Sequence, residues 1–316
     1  MGKENYAAKS LVRKFRNPGS RPRAVIPPRR SVHLGRLAAL GSAASFAAVA
    51  TLAGVAYSGE AIPAAVIAAR LVFGFVATLA AVALLRRPWS VPRREWPATL
   101  AITLAWLAVN VCYMASFFYI PVSLSVLIFF TFPVQIALVG PLIARQRPQA
   151  VTLAAALLAF SGLGFALGPE FAGLDWRGCA LAFAASVAVM ATFLLSRRLV
   201  VEQDMFTFSF NLHLLCAVTV AAYGAVWGGI TLPAQLLASL ALLGIGVFYV
   251  SAVLLQFAAI RFAGPARASI VFNAEPVLTI ALAALLLQET LGPAQFAGAV
   301  LVVAGVWLST RVDHQG

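Results

Sequence analysis

Apolar residues along this chain do not alternate with polar ones; they run together. From Leu37 onward, apolar stretches of about 20 residues recur, separated by short clusters of Arg, Pro and Gly. A helix rises about 1.5 Å per residue, so such a stretch crosses a hydrocarbon core about 30 Å thick. A soluble helix of that length keeps one polar face, and these stretches have none. The pattern predicts helices over 37–57, 62–85, 97–117, 122–144, 150–168, 177–196, 206–228, 237–260, 267–287 and 294–310. The breaks carry turn chemistry, with Pro88, Pro92 and Pro97 in one, and Gly264-Pro265 and Gly292-Pro293 in two others. The expected fold is all-α and integral to the membrane, with ten transmembrane helices.

Charge tests that count. The chain is 62% hydrophobic and 10% charged, against about 25% charged in a soluble domain. Its net charge is +13. With the N-terminus in the cytoplasm, every Lys and Arg except Arg70 and Arg177 falls in a tail or a cytoplasmic loop. That bias supports an even number of crossings with both termini cytoplasmic, since one helix more or fewer inverts every later loop. The expected location is the inner (plasma) membrane, multi-pass. The same bias accounts for the basic charge without nucleic acid, and makes membrane lipid the expected neighbour. Residues 1–36 read as a basic, disordered cytoplasmic tail able to lie on anionic lipid. Arg29-Arg30 before Ser31 resembles a twin-arginine export signal. The apolar run from Leu37 to Tyr57 is too long for a signal core, however, and further spans follow it, so it reads as an uncleaved first helix. Cys112, Cys179 and Cys216 match no metal or redox spacing and read as small buried hydrophobes. No metal and no cofactor are expected.

Ten helices divide into two sets of five, over 37–168 and 177–310. A set with an odd number of crossings inserts upside down relative to its copy. A constant shift of 143 residues carries Pro133 to Pro276, Gly162 to Gly305, Arg70 to His213, Trp106 to Tyr249 and Tyr113 to Gln256. The expectation is two inverted five-helix repeats. Proline lacks an N–H, so Pro133 frees the carbonyl of Phe129 and Pro276 that of Phe272. Free carbonyls in hydrocarbon need a neighbour, water or a ligand. Paired interruptions in two halves mark the centre of a transporter; two tolerated kinks in a packed bundle are the plainer alternative.

The stretch 272–309, FNAEPVLTIALAALLLQETLGPAQFAGAVLVVAGVWLS, resembles the signature of the EamA-type drug/metabolite transporter family. The resemblance rests on Glu275-Pro276, the Leu-rich run ending in Glu289, and Gly298 and Gly305. A weaker copy covers 130–167, and the resemblance extends over about 34–310. It implies two five-helix repeats around a central cavity and transport of small polar metabolites or drugs, often outward. In the first copy Phe132 stands at the position of Glu275, and Gln146 at that of Glu289. The two acids therefore lack symmetric partners.

Polar groups inside the spans are the candidate site. Glu275 lies about 12 Å from the cytoplasmic end of its helix, and Arg70 a similar distance from the outer end of the second, which leaves about 6 Å of axial separation. His213 should lie near the depth of Glu275. A charge facing lipid is expensive, so these groups should face inward and find partners. Glu275 either pairs with Arg70 or His213, or caps a freed carbonyl, and so holds the bundle; or it binds a cationic solute group or takes up a proton during the cycle. Arg70 either neutralises Glu275 or anchors a solute carboxylate. Trp106, Asn110, Tyr113 and Phe117 share one face of the third span, and Tyr249 and Gln256 one face of the eighth. Aromatic bodies with polar tips suit a partly wet cavity, and equally suit hydrogen bonds in a dry bundle. Asn273 and Gln135, beside the two prolines, are further cavity candidates. The pairs Gly164/Gly168 and Gly224/Gly228 read as close-packing contacts.

Catalysis has little to stand on. The histidines are His33, His213 and His314, with no HExxH or comparable cluster, and no catalytic residue is assigned. There is no nucleotide-binding loop of the Walker type, so energy for transport should come from a proton or solute gradient. The expected function is a secondary transporter of small polar metabolites, amino acids or drugs, by alternating access. An importer or facilitative channel of the same fold is the alternative, and a polytopic membrane enzyme a remote one.

Overall fold

A computed structural model describes residues 29–168, 174–227, 230–287 and 292–311. The expected tail up to residue 28, and Glu289, Gly228 and His314, lie outside the described residues. Those that are described form helices joined by short turns. The first half contributes α1 (Arg29–Ser58), α2 (Pro63–Leu84), α3 (Trp96–Ser116), α4 (Val122–Phe129), α5 (Phe132–Ile143) and α6 (Ala150–Leu167). The second contributes α7 (Trp176–Glu202), α8 (Met205–Trp227), α9 (Leu236–Ala263), α10 (Pro265–Phe272), α11 (Ala274–Leu287) and α12 (Pro293–Arg311). A single 3-10 turn, Arg93–Glu95, leads into α3.

Local chemistry sets the helix ends. Pro63, Pro97, Pro133 and Pro265 sit in the first turn of their helices. There the missing N–H has no partner to lose and the fixed φ suits the helix. Asp175 caps α7, its Oδ1 accepting from the Arg177 backbone N–H at 2.8 Å. Gly168 closes α6 at φ 51°, in the left-handed region that favours glycine.

Three expectations change. The first helix begins at Arg29, not Leu37, so the end of the expected tail is helical. The sixth and eighth spans extend to Glu202 and Ala263. The expected single helices over 122–144 and 267–287 are each divided, into α4 and α5 and into α10 and α11. The division is a tightened turn. Thr131 N–H donates to Ile128 O at 3.2 Å and Asn273 N–H to Ile270 O at 3.2 Å, with both residues still in right-handed helical backbone. Each proline then falls in the first turn of a new helix instead of kinking an old one.

Eight helical stretches among the described residues are long and apolar enough to cross a membrane, with Val122–Ile143 taken as one; Pro293–Ser309 is apolar but shorter. The chain is a multi-pass membrane protein. Close approach of backbones fixes how the helices meet. A carbon added at Gly35 on α1 would lie 2.7 Å from Ala263 Cβ at the end of α9, and one at Gly178 on α7 would lie 2.8 Å from Ile120 beyond α3. Exchanging every residue for the one 143 positions away turns the first contact into the second. The same holds where α6 packs on α12. A carbon at Gly162 would lie 2.7 Å from Val302 N, and one at Gly305 2.7 Å from Ala159 N. Along α6 from Ala159 to Ala166 the facing residue falls from Gly305 to Gly298, so these two helices run antiparallel. Small residues let backbones approach this closely in hydrocarbon, where association depends on packing.

Candidate functional site

A cavity of about 110 Å³ lies between the two halves. One water needs roughly 10–15 Å³ on this measure, so the space admits several waters or a small solute. It is lined from α1, α2, α3, α4, α5, α7, α9, α10 and α11, and α6 and α12 pack together away from it. Ten of its fifteen lining residues fall into pairs 143 residues apart: Phe46 with Val189, Trp106 with Tyr249, Tyr113 with Gln256, Phe129 with Phe272, and Phe132 with Glu275.

One such pair touches. Trp106 Nε1 donates to Tyr249 Oη at 2.9 Å, and both residues are buried. Asn110 faces the cavity one helical turn along, its Nδ2 held by Trp106 O at 2.8 Å. The Tyr113 ring stacks at 4.5 Å on Phe129, at the end of α4. Phe132, Phe193, Phe272 and Phe46 continue ring to ring as far as Tyr249, with centroid separations of 5.5, 5.4, 6.3 and 6.4 Å. The wall is therefore largely aromatic.

Two charged side chains enter this wall. Arg70 comes from α2 and Glu275 from the first turn of α11. Each is within electrostatic reach of the other. Among the described residues no ion pair joins them, and Arg70 Nε is buried without a hydrogen-bond partner. Of the two alternatives for Glu275, a direct ion pair with Arg70 is not formed in this structure; the helices hold the two groups on the lining of a shared space.

Of the expected residues, the structure brings together Glu275, Arg70, Trp106, Asn110, Tyr113, Tyr249 and Gln256. Pro133 and Pro276 are buried directly beside Phe132 and Glu275. His213, Asn273 and Gln135 do not line the cavity. His213 packs behind Tyr249, ring centroids 5.8 Å apart, in a notch left by Gly74 on α2. Its Nδ1 donates to Ser209 O at 2.8 Å, its Nε2 is buried without a hydrogen-bond partner, and among the described residues no ion pair joins it to Glu275. Asn273 is fully buried and turns its Nδ2 back to Ile270 O at 3.2 Å. Gln135 Nε2 binds Thr131 and Ser186, each at 2.9 Å, in a cluster of its own. Phe117 meets Tyr113 edge-on, outside the lining. The residues not foreseen are the apolar ones, Phe46, Phe129, Phe193 and Phe272 chief among them. Phe129 and Phe272 carry a readable signal, since both precede the paired prolines and lie 143 positions apart. Phe46 and Phe193 carry none, because nothing distinguishes them from other apolar residues of their spans.

A multi-pass helical bundle with charged groups in a central aromatic cavity has the layout of a solute carrier. The sequence profile of the EamA-like transporter family matches residues 33–168 and again residues 176–311. The chain belongs to that family. Of 28 matching chains of solved structures, one, titled "Crystal structure of protein", superposes with a TM-score of 0.76 over 90% of this chain and 99% of its own, at 20% identity. That likeness establishes the fold. No curated protein matches the chain.

Proposed function

We propose that this chain is a secondary active transporter that moves small polar metabolites, amino acids or drugs across the inner membrane, outward, by alternating access between two inverted halves. On this reading it crosses the membrane ten times, with α4–α5 and α10–α11 as two divided crossings. Three features support the inversion. The close contacts recur under a shift of 143 residues, as a two-fold relation between halves requires. The equivalent helices α6 and α12 pack antiparallel, so the axis relating them runs across the helices and lies in the membrane plane. The paired lining residues, and the hydrogen bond between the equivalent Trp106 and Tyr249, support an axis that passes through the cavity. The orientation of the bases supports cytoplasmic termini.

The observation that carries the function is the placement of Arg70 and Glu275 on one aromatic-lined cavity without an ion pair between them. A buried charge left without a contact partner is costly. A solute bearing groups of opposite sign offsets that cost, and its apolar body fits the ring-lined wall. On this reading Glu275 binds a cationic group of the solute or takes up a proton during the cycle, and Arg70 receives a solute anion.

An untargeted comparison of metabolites inside and outside cells, with and without the protein, identifies which solutes move. Uptake of such a solute into liposomes holding the purified protein then tests the mechanism. Flux should saturate, and Glu275→Gln and Arg70→Gln should each lower it at least about tenfold at equal protein amount. Unchanged flux in both variants overturns the assignment, and flux that rises linearly without saturating favours a channel.

A further inference from the structure

At one end of the bundle the two halves are joined by charge. Glu95, in the turn before α3, has 1% of its surface exposed. Its Oε1 accepts from Arg198 Nη2 at 3.0 Å and lies 3.1 Å from Arg94 Nε. Arg198, near the end of α7, also donates from Nε to Glu202 at 3.2 Å. Alongside, Arg87 pairs with Asp204 at 3.6 Å. Thr207 Oγ1 donates to Pro88 O at 2.8 Å, and Asn211 Nδ2 to Trp89 O at 3.2 Å. Glu95, Arg87, Pro88 and Trp89 belong to the first half, and Arg198, Asp204, Thr207 and Asn211 to the second. Every one of these ties, apart from the local Arg94 and Glu202 contacts, therefore crosses from half to half.

Among the described residues, the equivalent corner at the other end has none of this. Shifted by 143 residues, Glu95 becomes Ala238, Arg198 becomes Val55, Glu202 becomes Gly59 and Asp204 becomes Ala61. There Gly59 packs directly on Ala238. One corner is thus built from ion pairs, and its counterpart from small apolar residues in contact. The difference decides how each can open. Parting two apolar surfaces exposes them to water. Parting Glu95 from Arg198 lets water hydrate both charges, provided the whole corner separates; removing one partner alone strands the other.

We propose that Glu95 and Arg198 form a charged latch that holds this end of the cavity shut, and that its release opens the cavity to the cytoplasm. The inference rests on the alternating-access reading above, and on the orientation that puts residues 86–95 and 197–204 in the cytoplasm. A carboxylate as deeply covered as Glu95 makes the latch sensitive to loss of either partner. Glu202, Arg94 and the Arg87–Asp204 pair are side contacts at exposed positions and hold it more weakly.

The test uses the full chain with Cys112, Cys179 and Cys216 replaced by alanine and a single reporter, Met114→Cys, on the cavity wall. A membrane-impermeant maleimide is applied to right-side-out and to inside-out vesicles. Without a latch mutation the reporter should label from outside and poorly from the cytoplasmic face. Glu95→Gln should raise cytoplasmic labelling about fivefold or more, with a matching fall from outside, as expected when a closed state loses its tie. Arg198→Gln should act in the same direction. Its side chain is 62% exposed, so it decides the matter should Glu95→Gln fail to fold. Both variants labelling like the parent, at unchanged protein amount and melting temperature, overturns the latch and leaves the carrier reading standing. Increased labelling from the outer face keeps the latch and overturns the orientation. No labelling from either face in any variant overturns the alternating-access reading, and the latch with it.

Discussion

At the level of single residues, the sequence exposes what is chemically out of place and hides what is merely well packed. Glu275, Arg70 and Trp106 are conspicuous in apolar runs, and each reaches the cavity. His213 and Asn273 are as conspicuous and do not; each donates to a backbone carbonyl within a turn of its own helix and keeps a second polar atom buried without a partner. A polar group in hydrocarbon has two ways to be satisfied, by a shared cavity or by its own backbone, and spacing alone does not separate them. The Trp106–Tyr249 bond is the residue-scale tie between halves, and it should be measurable. Trp106→Phe and Tyr249→Phe each remove one end of it. In thermal unfolding of the detergent-solubilised protein, the double variant should lose less than the sum of the single losses. The coupling should be about 1 kcal/mol, the usual net worth of a buried hydrogen bond. Strictly additive losses would show that the bond contributes nothing.

Among elements, the existence of the helices is plain from the apolar runs, and their ends are less so. Charged residues continue a helix beyond the hydrocarbon, which is why α1 begins at Arg29 and α7 ends at Glu202. The paired prolines mark the right places, but the pattern does not tell a kink from two helices meeting at a tightened turn. That distinction depends on Thr131 and Asn273, whose N–H groups bond three residues back. The close packing of α6 on α12 depends on glycine. Gly298→Leu would drive a side chain into the backbone of Ala166, where an added carbon already lies 2.8 Å from its Cα. The expected cost is about 1–3 kcal/mol, seen as a lower melting temperature in detergent. Gly54→Ala, inside α1 where an added carbon meets nothing, should leave the melting temperature no lower, and slightly higher because alanine favours the helix, and serves as the control.

For the whole molecule, the repeat is legible from a handful of residues because the shift of 143 is free of gaps over the sites that matter. The proposed inversion of one half against the other rests on the expected odd number of crossings per half and on the placement of bases. Cysteine labelling tests that arrangement directly. In a background without Cys112, Cys179 and Cys216, Ser58→Cys should react with an impermeant maleimide from outside and Gln146→Cys from the cytoplasm. The reverse pattern in both would invert the molecule, and labelling of both from one face would refute an odd number of crossings between them.

Phe132 opposite Glu275 has a consequence of its own for turnover. On the proposed alternating-access reading, were every facing pair alike, the inward-open and outward-open forms would be copies of one another, equal in energy and in grip on the passenger. With an acid on one side of the dyad and a ring on the other, the two forms are different receptors. A solute then meets a different half-saturation concentration on each face, even though its resting distribution without a driving gradient stays even.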